Sequence, residues 1–448
     1  MTGNKFERPT PVQMQAIPCV LLGHNVLVSA PTGSGKTASY LIPVISQILT
    51  TRAQEESEGS RSALVLAPIR ELAMQIEGVA KLLMHGIPNM KTALLVGGFP
   101  VPTQRYRLQC GVQLIVATPG RFLDIFTNYA GGDVILEEIR TCVIDEVDVM
   151  LDVGFRSQIS QIVALLSPVN GQRSQRGGVQ ILLFSATISD EVEMLVQQTL
   201  KTQSEQSYLR IEVGGNSSKA SRDESSAAFP LNADIQQRVR WTEDKTKKKE
   251  LFAFLAEKLE ESTLVFVSSK IGATMLAEAI EKRCGIRAAA IHADKSQADR
   301  LAVLEAFVTL EVPVLVSTNV LSRGMDLLHV QNVVIFDFPK KVADYIHLIG
   351  RVGRGEAGNG NALVLVNQES RSLFRELIPL LRRTKTPVPR EIYESLHSEE
   401  AKQRAQSSQV VIDESKRAFR VRKQLDDESG VEWKQWDSHC GKRQRTGF

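Results

Sequence analysis

The feature that most constrains the fold of this chain is the segment Ala30-Pro31-Thr32-Gly33-Ser34-Gly35-Lys36-Thr37. It follows an apolar run, Val26–Val28, that is typical of a short buried strand, and it precedes Ala38–Ile48, whose apolar spacing predicts a helix. Glycines between a strand and a helix let backbone N–H groups turn inward around a polyphosphate, and the helix N-terminus adds partial positive charge there. The segment therefore predicts a phosphate-binding loop, although Ala30 stands where the general pattern has its first glycine.

Two residues of this loop are expected to do chemistry. Lys36 would reach the terminal phosphates of a nucleotide, and Thr37 would hold Mg2+ through its hydroxyl. The alternative is a Gly/Ser-rich turn that happens to end in Lys-Thr. The strand before the segment and the helix after it favour the phosphate-binding interpretation, which by itself predicts a nucleoside triphosphatase of unspecified kind.

Composition excludes several other classes of protein. A chain of 448 residues predicts two or three domains, and 43% hydrophobic with 23% charged residues is typical of soluble globular proteins. No apolar run has the length needed to span a membrane, and Met1–Arg8 lacks an apolar signal segment, so we expect neither a membrane protein nor secretion. A net charge of +3 excludes a strongly basic polymer-coating protein but not local basic grooves.

The cysteines indicate the compartment. The chain has five cysteines, and they form no close pair. They are Cys19, Cys110, Cys142, Cys284 and Cys440. Neither a zinc knuckle nor a disulfide framework is indicated, which favours a reducing environment. We therefore expect an intracellular protein of the nucleus, the cytoplasm or both.

Strands and helices alternate twice along the chain, from about Asn25 to Ile211 and again from near Ile235. Besides Val26–Val28, the apolar runs that predict strands are Ala63–Ala67, Ala93–Val96, Leu114–Ala117, Cys142–Ile144, Ile181–Phe184, Leu264–Val267, Ala288–Ile291, Val314–Ser317, Val333–Phe336 and Ala362–Val366. Such alternation predicts an α/β fold in which parallel sheets are covered by helices on both faces.

The domain boundaries follow from composition. We predict a nucleotide-binding domain over residues 1–213, a linker over 214–233, a second domain over 234–390 and a tail over 391–448. The linker is predicted from the Ser, Gly and charge content of Gly214–Ala228. The tail is mixed in charge with few large apolar residues, so weak order and contacts to protein partners are expected. Its basic end, Gly441–Arg445, is interpreted as a solvated terminus, with a nuclear address or an RNA contact as alternatives.

Acidic residues follow one of the predicted strands. The box Asp145-Glu146-Val147-Asp148 comes directly after Cys142–Ile144. An acid at the carboxyl end of a strand beside a phosphate loop is placed to bind magnesium. Asp145 is therefore predicted to hold the metal, directly or through water, and Glu146 to orient and deprotonate the attacking water. The alternative, an acidic surface turn, is disfavoured by the apolar residues on both sides of the box.

Weaker signals lie elsewhere in the first half. Phe6 and Gln13 precede the phosphate loop. A glutamine amide can pair with the adjacent donor and acceptor on one edge of adenine, and an aromatic ring can stack on the base. Ser185-Ala186-Thr187 follows another strand, where small hydroxyl residues can bond to acids of a neighbouring loop. Alone, that triplet would predict only a helix cap.

Together these segments resemble the DEAD-box family of ATP-dependent RNA helicases, within helicase superfamily two. The matching segments, in family order, are Phe6–Gln13, Ala30–Thr37, Pro68–Ala73, Gly97-Gly98, Thr118–Arg121, Asp145–Asp148, Ser185–Thr187, Ser317–Asp326 and His347–Arg354. The resemblance implies two tandem RecA-like domains joined by a flexible linker, with ATP and Mg2+ bound between them. Alanine at position 30 is usual in this family.

The resemblance assigns roles residue by residue. The implied catalytic residues are Lys36, Asp145, Glu146, Arg351 and Arg354. ATP would be bound by Phe6, Gln13, Ala30, Pro31, Thr32, Gly33, Ser34, Gly35, Lys36, Thr37, Gly324 and Asp326, and the metal by Thr37 and Asp145. The two domains would be coupled through Asp148, Ser185, Thr187 and His347. RNA backbone contacts are implied for Arg70, Gly98, Thr118, Arg121, Arg300 and Thr318.

A physical argument supports the two arginines. Arg351 and Arg354 are three positions apart, so on a helical turn they face the same way. A guanidinium group keeps its charge and can grip two phosphate oxygens, which suits stabilisation of a transferring phosphoryl group. A solvated basic helix start is the alternative, and the Gly-Arg-x-Gly-Arg spacing disfavours it.

The sequence departs from the family pattern at a few positions. Val147 replaces the usual alanine of the acidic box, Ile69 a threonine, Asn319 an aspartate and Leu348 an arginine. None is an implied catalytic residue, so we expect intact ATP hydrolysis with altered RNA coupling. The second half most resembles the subgroup whose full-length members carry an N-terminal HIT-type zinc finger. The sequence has no such finger and begins almost on the family's glutamine motif, Phe6–Gln13, as expected of an N-terminally shortened form.

The predicted function is an RNA-dependent ATPase that couples ATP binding and hydrolysis to local RNA duplex unwinding or ribonucleoprotein remodelling. One alternative is an ATP-gated RNA clamp that hydrolyses slowly and unwinds nothing. Another is a DNA-directed helicase of the same superfamily. RNA is the expected partner. Recognition of particular bases is not expected, because the chain shows no dense run of basic residues interleaved with aromatics.

Overall fold

The structure is a computed structural model, and it describes residues 8–31, 33–54, 62–128, 132–166, 178–201, 208–213, 235–259, 261–318, 330–352 and 360–397. Contacts between Cα atoms divide the chain into two compact units, Met1–Pro387 and Val388–Phe448. In the second unit a helix covers residues 390–397. The predicted linker lies outside the described residues, and so does the predicted tail beyond residue 397.

The first unit contains a seven-stranded parallel sheet in its N-terminal half. Its strands are β1 (Val26–Ser29), β2 (Ser62–Leu66), β3 (Thr92–Leu95), β4 (Leu114–Ala117), β5 (Ile139–Ile144), β6 (Gln180–Ser185) and β7 (Leu209–Glu212), in the order β3-β4-β2-β5-β6-β1-β7. Its helices are α1 (Pro11–Leu21), α2 (Lys36–Gln54), α3 (Arg70–Leu83), α4 (Val101–Gln109), α5 (Pro119–Asn128), α6 (Gly132–Glu138), α7 (Val147–Val153), α8 (Arg156–Leu166) and α9 (Asp190–Lys201).

A six-stranded parallel sheet follows in the same unit. Its strands are β8 (Ile235–Trp241), β9 (Thr263–Phe266), β10 (Ala288–Ile291), β11 (Val314–Ser317), β12 (Asn332–Ile335) and β13 (Gly360–Val366), in the order β10-β11-β9-β12-β13-β8. Its helices are α10 (Asp244–Glu257), α11 (Lys270–Cys284), α12 (Gln297–Val308), α13 (Val342–Ile349), a 3-10 helix (Gln368–Leu373) and α14 (Phe374–Arg383).

The first sheet is buried on both faces. Successive strand residues point to opposite faces, so Leu27 packs in one apolar cluster with Leu64 while Val26 and Val28 pack in another. Burial on both sides explains why these strands are continuous apolar runs rather than alternating ones. The predicted fold class, parallel α/β sheets covered by helices, is confirmed. Among the described residues, no helix has both the length and the apolar content to cross a bilayer.

Strand order sorts the predicted site residues into two groups. The loops after β1, β5 and β6, which are neighbours in the sheet, carry the phosphate loop, the acidic box and Ser185–Thr187. The loops after β2, β3 and β4, on the other half of the sheet, carry Arg70, Gly98 and Thr118. All of these loops lie at the carboxyl edge, where open α/β sheets bind ligands.

Candidate active site

The phosphate loop needs glycine at two positions. Gly33 and Gly35 have φ of +79° and +93°, in the left-handed region that other residues rarely adopt. A Cβ atom on Gly35 would lie only 2.6 Å from Nε2 of Gln13. The buried Lys36, which begins α2, donates from Nζ to the Ala30 carbonyl oxygen at 2.7 Å. The side chain of Lys36 therefore lies against the backbone of its own loop. Thr32 lies outside the described residues.

Gln13 joins the start of α1 to this loop. Its side-chain oxygen accepts from the Thr10 backbone N–H at 3.0 Å, and its Nε2 donates to the Gly35 carbonyl oxygen at 3.3 Å. The first bond is half of a capping box, in which Gln13 occupies the third helical position. Both ends of the amide thus make bonds within the protein. The expected pairing of Gln13 with adenine stays a prediction, and Phe6 lies outside the described residues.

The carboxylate of Asp145 is held at both oxygens. Oδ1 accepts from the Glu146 backbone N–H at 2.9 Å, and Oδ2 accepts from the Tyr40 hydroxyl at 2.9 Å. Asp145 is only 2% exposed. Burial, reinforced by the neighbouring Glu146 carboxylate, raises the pKa of Asp145 from 3.8 to about 6. The pKa of Tyr40 is raised well above 10, chiefly by burial and then by Asp145, so its hydroxyl stays a proton donor.

Glu146 has the geometry of a functional residue. Its backbone lies in the left-handed region, with φ of +52° and ψ of +53°, which is unusual for a residue with a side chain. Its Oε2 is buried and makes no hydrogen bond to any residue that the structure describes. Strain and an unsatisfied buried oxygen mark sites that are completed by a ligand. A water molecule beside a bound phosphate would satisfy this oxygen.

The residues at this edge suit Mg2+. Thr37 offers a hydroxyl and Asp145 a carboxylate, and these are the hard oxygen donors that Mg2+ prefers. They lie at the start of α2 and at the end of β5, two strands apart in the sheet. The unsatisfied Glu146 oxygen and the buried Asp145 carboxylate indicate a site that would stabilise a bound cation.

Ionisation of Asp145 should destabilise the nucleotide-free protein. Because its folded pKa of about 6 exceeds the reference value of 3.8, the stability that this group contributes is full below pH 3.8 and is lost as the pH rises through 6. We therefore expect the melting temperature of Asp145→Asn, relative to that of the wild-type chain, to be higher at pH 7.5 than at pH 5. Asp294→Asn, at an exposed carboxylate paired with Lys270, should show no such dependence. Equal shifts for Asp145→Asn at both pH values would contradict this account.

Asp148 connects the first sheet to the second. Its Oδ2 accepts from the Thr187 hydroxyl at 2.9 Å and from the Thr187 backbone N–H at 3.2 Å. Ser185 donates from its hydroxyl to the Thr187 carbonyl oxygen at 2.6 Å. Nε2 of His347, on α13 of the second sheet, lies 3.9 Å from the same Asp148 oxygen. The structure thus brings together all four residues expected to couple the two domains.

Arg351 lies just beyond this contact. It follows α13, its backbone N–H donates to the Leu348 carbonyl oxygen at 3.2 Å, and its side chain is among the largest that are fully buried. Because Nε2 of His347, on α13, lies 3.9 Å from Asp148, the segment that carries Arg351 lies near the acidic box. Arg354, Gly324 and Asp326 lie outside the described residues, so their predicted roles stay predictions.

A second contact between the sheets lies on the other half of the carboxyl edge. Glu71 of α3, 2% exposed, pairs with Nη2 of Arg300 at 2.5 Å and accepts from Nε2 of Gln297 at 3.1 Å. Arg70 donates to Oε1 of Gln297 at 3.3 Å. The Arg70 guanidinium packs so closely on Gly98 that a Cβ atom there would lie 2.7 Å from it.

The remaining residues expected to contact RNA follow β4 and β11. Thr118 follows β4, and its backbone N–H bonds to the Leu95 carbonyl oxygen at 3.0 Å. Arg121 donates to the Phe99 carbonyl oxygen at 3.1 Å, next to the glycine pair. Thr318 follows β11 of the second sheet and is 9% exposed. Thr118 and Arg121 therefore lie beside the glycine pair and Thr318 lies at the carboxyl end of β11, and the contact of all three with RNA stays a prediction.

Family models match both halves of the chain. The model described as DEAD/DEAH box helicase matches residues 10–195, and the helicase conserved C-terminal domain matches residues 246–356. DEAD-box ATP-dependent RNA helicase 41 of Arabidopsis thaliana is 43% identical over 392 residues, covering 86% of this chain and 71% of that protein. The chain belongs to the DEAD-box ATP-dependent RNA helicase family.

This helicase has further relatives of the same kind. The human probable ATP-dependent RNA helicase DDX59 is 41% identical over 413 residues, covering 91% of this chain and 61% of the relative. A solved structure of Mss116p bound to single-stranded RNA and AMP-PNP matches with a TM-score of 0.72 at 25% identity, over 84% of this chain and 73% of that one. The two RecA-like sheets expected from the sequence are thus confirmed.

Proposed function

We propose that this helicase is an RNA-dependent ATPase that couples ATP binding and hydrolysis to local unwinding of RNA duplexes or remodelling of ribonucleoproteins. The observation that carries the proposal is the meeting of the two sheets at one carboxyl edge. His347 reaches Asp148 on the phosphate-loop half, and Arg300 reaches Glu71 on the other half. The first contact would complete an ATP site and the second would border an RNA path. The same pair of ligands, RNA and an ATP analogue, is bound by Mss116p.

The residues of the first contact have distinct proposed roles. Lys36 would exchange its bond to the Ala30 carbonyl for one to the terminal phosphates of ATP. Glu146 would orient the attacking water and accept its proton. Arg351 and Arg354 would stabilise the charge that builds on the transferred phosphoryl group. Thr37 and Asp145 would hold Mg2+, which supplies charge neutralisation on the phosphate oxygens when bound.

The second contact would make hydrolysis depend on RNA. RNA along the edge of both sheets would favour the state in which they meet, and ATP would favour the same state. Each ligand should therefore tighten the binding of the other. The proposed contacts, from Arg70, Gly98, Thr118, Arg121, Arg300 and Thr318, suit phosphate and sugar. Such contacts carry little base information, so sequence-independent binding is expected.

Glu71→Gln should weaken this dependence on RNA. The substitution keeps the shape of the side chain but leaves the buried Arg300 guanidinium without its countercharge. We expect the RNA concentration for half-maximal stimulation of ATP hydrolysis to rise by about tenfold or more. Glu77→Gln is the matched control, because Glu77 is also a buried carboxylate of α3 but bonds to Lys81 on the same helix and to Thr92 on β3. Equal effects of the two substitutions on RNA stimulation would contradict the proposed role.

A gel assay on a short RNA duplex tests the proposed function. Strand release with ATP, and none with a non-hydrolysable analogue, is expected of the helicase. Retention of RNA without release would instead support an ATP-gated clamp, the second candidate. Competition between RNA and DNA of equal length for ATPase stimulation decides between an RNA-directed and a DNA-directed enzyme, and we expect RNA to stimulate more strongly.

Finer assignments are proposed on sequence grounds. We propose the domain division 1–213, 214–233, 234–390 and 391–448, with protein partners recruited through the tail. The second half supports membership of the subgroup whose full-length members carry an N-terminal HIT-type zinc finger. A nuclear or cytoplasmic location is proposed because RNA is the expected ligand and Cys19, Cys110, Cys142 and Cys284 are all free thiols, which suits a reducing compartment.

A further inference from the structure

Tyr40 lies between the two residues proposed to hold magnesium. It lies on α2, about one turn after Lys36, and its hydroxyl donates to Oδ2 of Asp145 at 2.9 Å. The Thr37 side chain faces the same hydroxyl and partly offsets the rise in the pKa of Tyr40. The tyrosine therefore touches one proposed metal ligand and adjoins the other.

Packing fixes the direction of this hydroxyl. The Tyr40 ring is 0% exposed and packs against Phe184 on β6, with ring centroids 5.0 Å apart and planes tilted by 60°. A side chain locked in this way cannot swing its hydroxyl away from Asp145. The other oxygen of Asp145 is held by the Glu146 backbone N–H at 2.9 Å. The plane of the carboxylate is therefore set by hydrogen bonds at both of its oxygens.

We propose that Tyr40 is a positioning residue of the magnesium site, which holds the Asp145 carboxylate in the orientation required for metal-bound nucleotide. Groups that hydrogen-bond to a metal ligand fix its orientation, and their loss weakens metal binding or activity. The proposal rests on the proposed ATP site. The competing interpretation is purely structural: the hydroxyl only satisfies a buried carboxylate and contributes to folding stability.

Tyr40→Phe separates the two interpretations, because it removes the hydroxyl and keeps the ring on Phe184. The affinity of the full chain for a fluorescent ADP analogue is measured in EDTA and across a Mg2+ titration. We expect Tyr40→Phe to bind the ADP analogue with unchanged affinity in EDTA. The factor by which Mg2+ raises that affinity should be about tenfold smaller than in the wild-type chain. Tyr106→Phe, at an exposed tyrosine, should match the wild-type chain in both conditions.

A lowered melting temperature combined with wild-type strengthening by Mg2+ would overturn the proposal in favour of the structural interpretation. Equal weakening in EDTA and in Mg2+ would overturn it as well, because the defect would then not concern the metal. The readout is binding, so it does not depend on hydrolysis. A magnesium-specific loss in Tyr40→Phe together with no RNA-dependent ATP turnover by the wild-type chain would sustain the proposal and reject the proposed function.

Discussion

Arg351→Ala is expected to reduce RNA-stimulated ATP turnover by about 10³–10⁵, the range that an arginine finger contributes to phosphoryl transfer. The physical reason is that Arg351 lies close along the chain to His347, whose Nε2 is 3.9 Å from Asp148, so its guanidinium is near the acidic box, where it can meet charge developing on the phosphoryl group. Binding of a non-hydrolysable ATP analogue should change far less than turnover. The measurement is steady-state ATP hydrolysis at saturating RNA, together with the analogue affinity.

Two further variants make this prediction specific. Arg240→Ala removes an exposed arginine of β8 and should leave turnover unchanged. Because Arg351 is fully buried, alanine at this position could also lower stability, and Arg351→Lys keeps most of the volume and the charge. Lysine lacks the planar fork that grips two oxygens, so Arg351→Lys should also hydrolyse slowly. Near wild-type turnover in Arg351→Lys would show that bidentate contact by this residue is not needed.

Glu146→Gln is expected to lower turnover by about 10²–10⁴, the contribution typical of a general base. Glutamine keeps the shape of the side chain and can hold a water molecule, but it cannot accept the proton. The protein should therefore still bind ATP and RNA and should accumulate in the state with both bound. Single-turnover hydrolysis measures the chemical step, and co-sedimentation with RNA in the presence of ATP measures the accumulated state.

The control for this prediction is Glu311→Gln, which changes an exposed carboxylate of the second half and should leave both readouts unchanged. A Glu146→Gln variant that hydrolyses ATP at the wild-type rate would remove Glu146 from the mechanism. The strained backbone and unsatisfied oxygen of this residue would then need another explanation.

The interior strands of both sheets were predictable because burial on both faces demands continuous apolar runs. Leu114–Ala117 and Val314–Ser317, for example, coincide with the interior strands β4 and β11. The strands β7 and β8 were not among the predicted ones. They lie at sheet edges, and β8 alternates buried residues with exposed Gln236, Arg238 and Arg240. An edge strand with alternating exposed polar residues lacks the continuous apolar run from which the other strands were predicted.

Within the site, groups carried by local motifs were predictable, and partners distant in sequence were not. The phosphate loop and the acidic box each show in a few adjacent residues. In the sequence pattern, Tyr40 is one more apolar position of α2. Only the folded structure brings it to Asp145, which is 105 residues away. Glu71 and Gln297, 226 residues apart, likewise meet only when both sheets are in place. The local sequence showed only that each is a polar residue near the start of a helix, which does not predict their contact.

ATP turnover with and without RNA tests the central claim most directly, namely that the two sheets complete one RNA-dependent site. It compares the wild-type chain with Lys36→Ala, which removes the ammonium group that now bonds to Ala30 in the phosphate loop. We predict turnover by the wild-type chain that rises with RNA in the presence of Mg2+, and none above background in Lys36→Ala. Wild-type turnover with excess RNA that is no higher than that of Lys36→Ala would contradict the account.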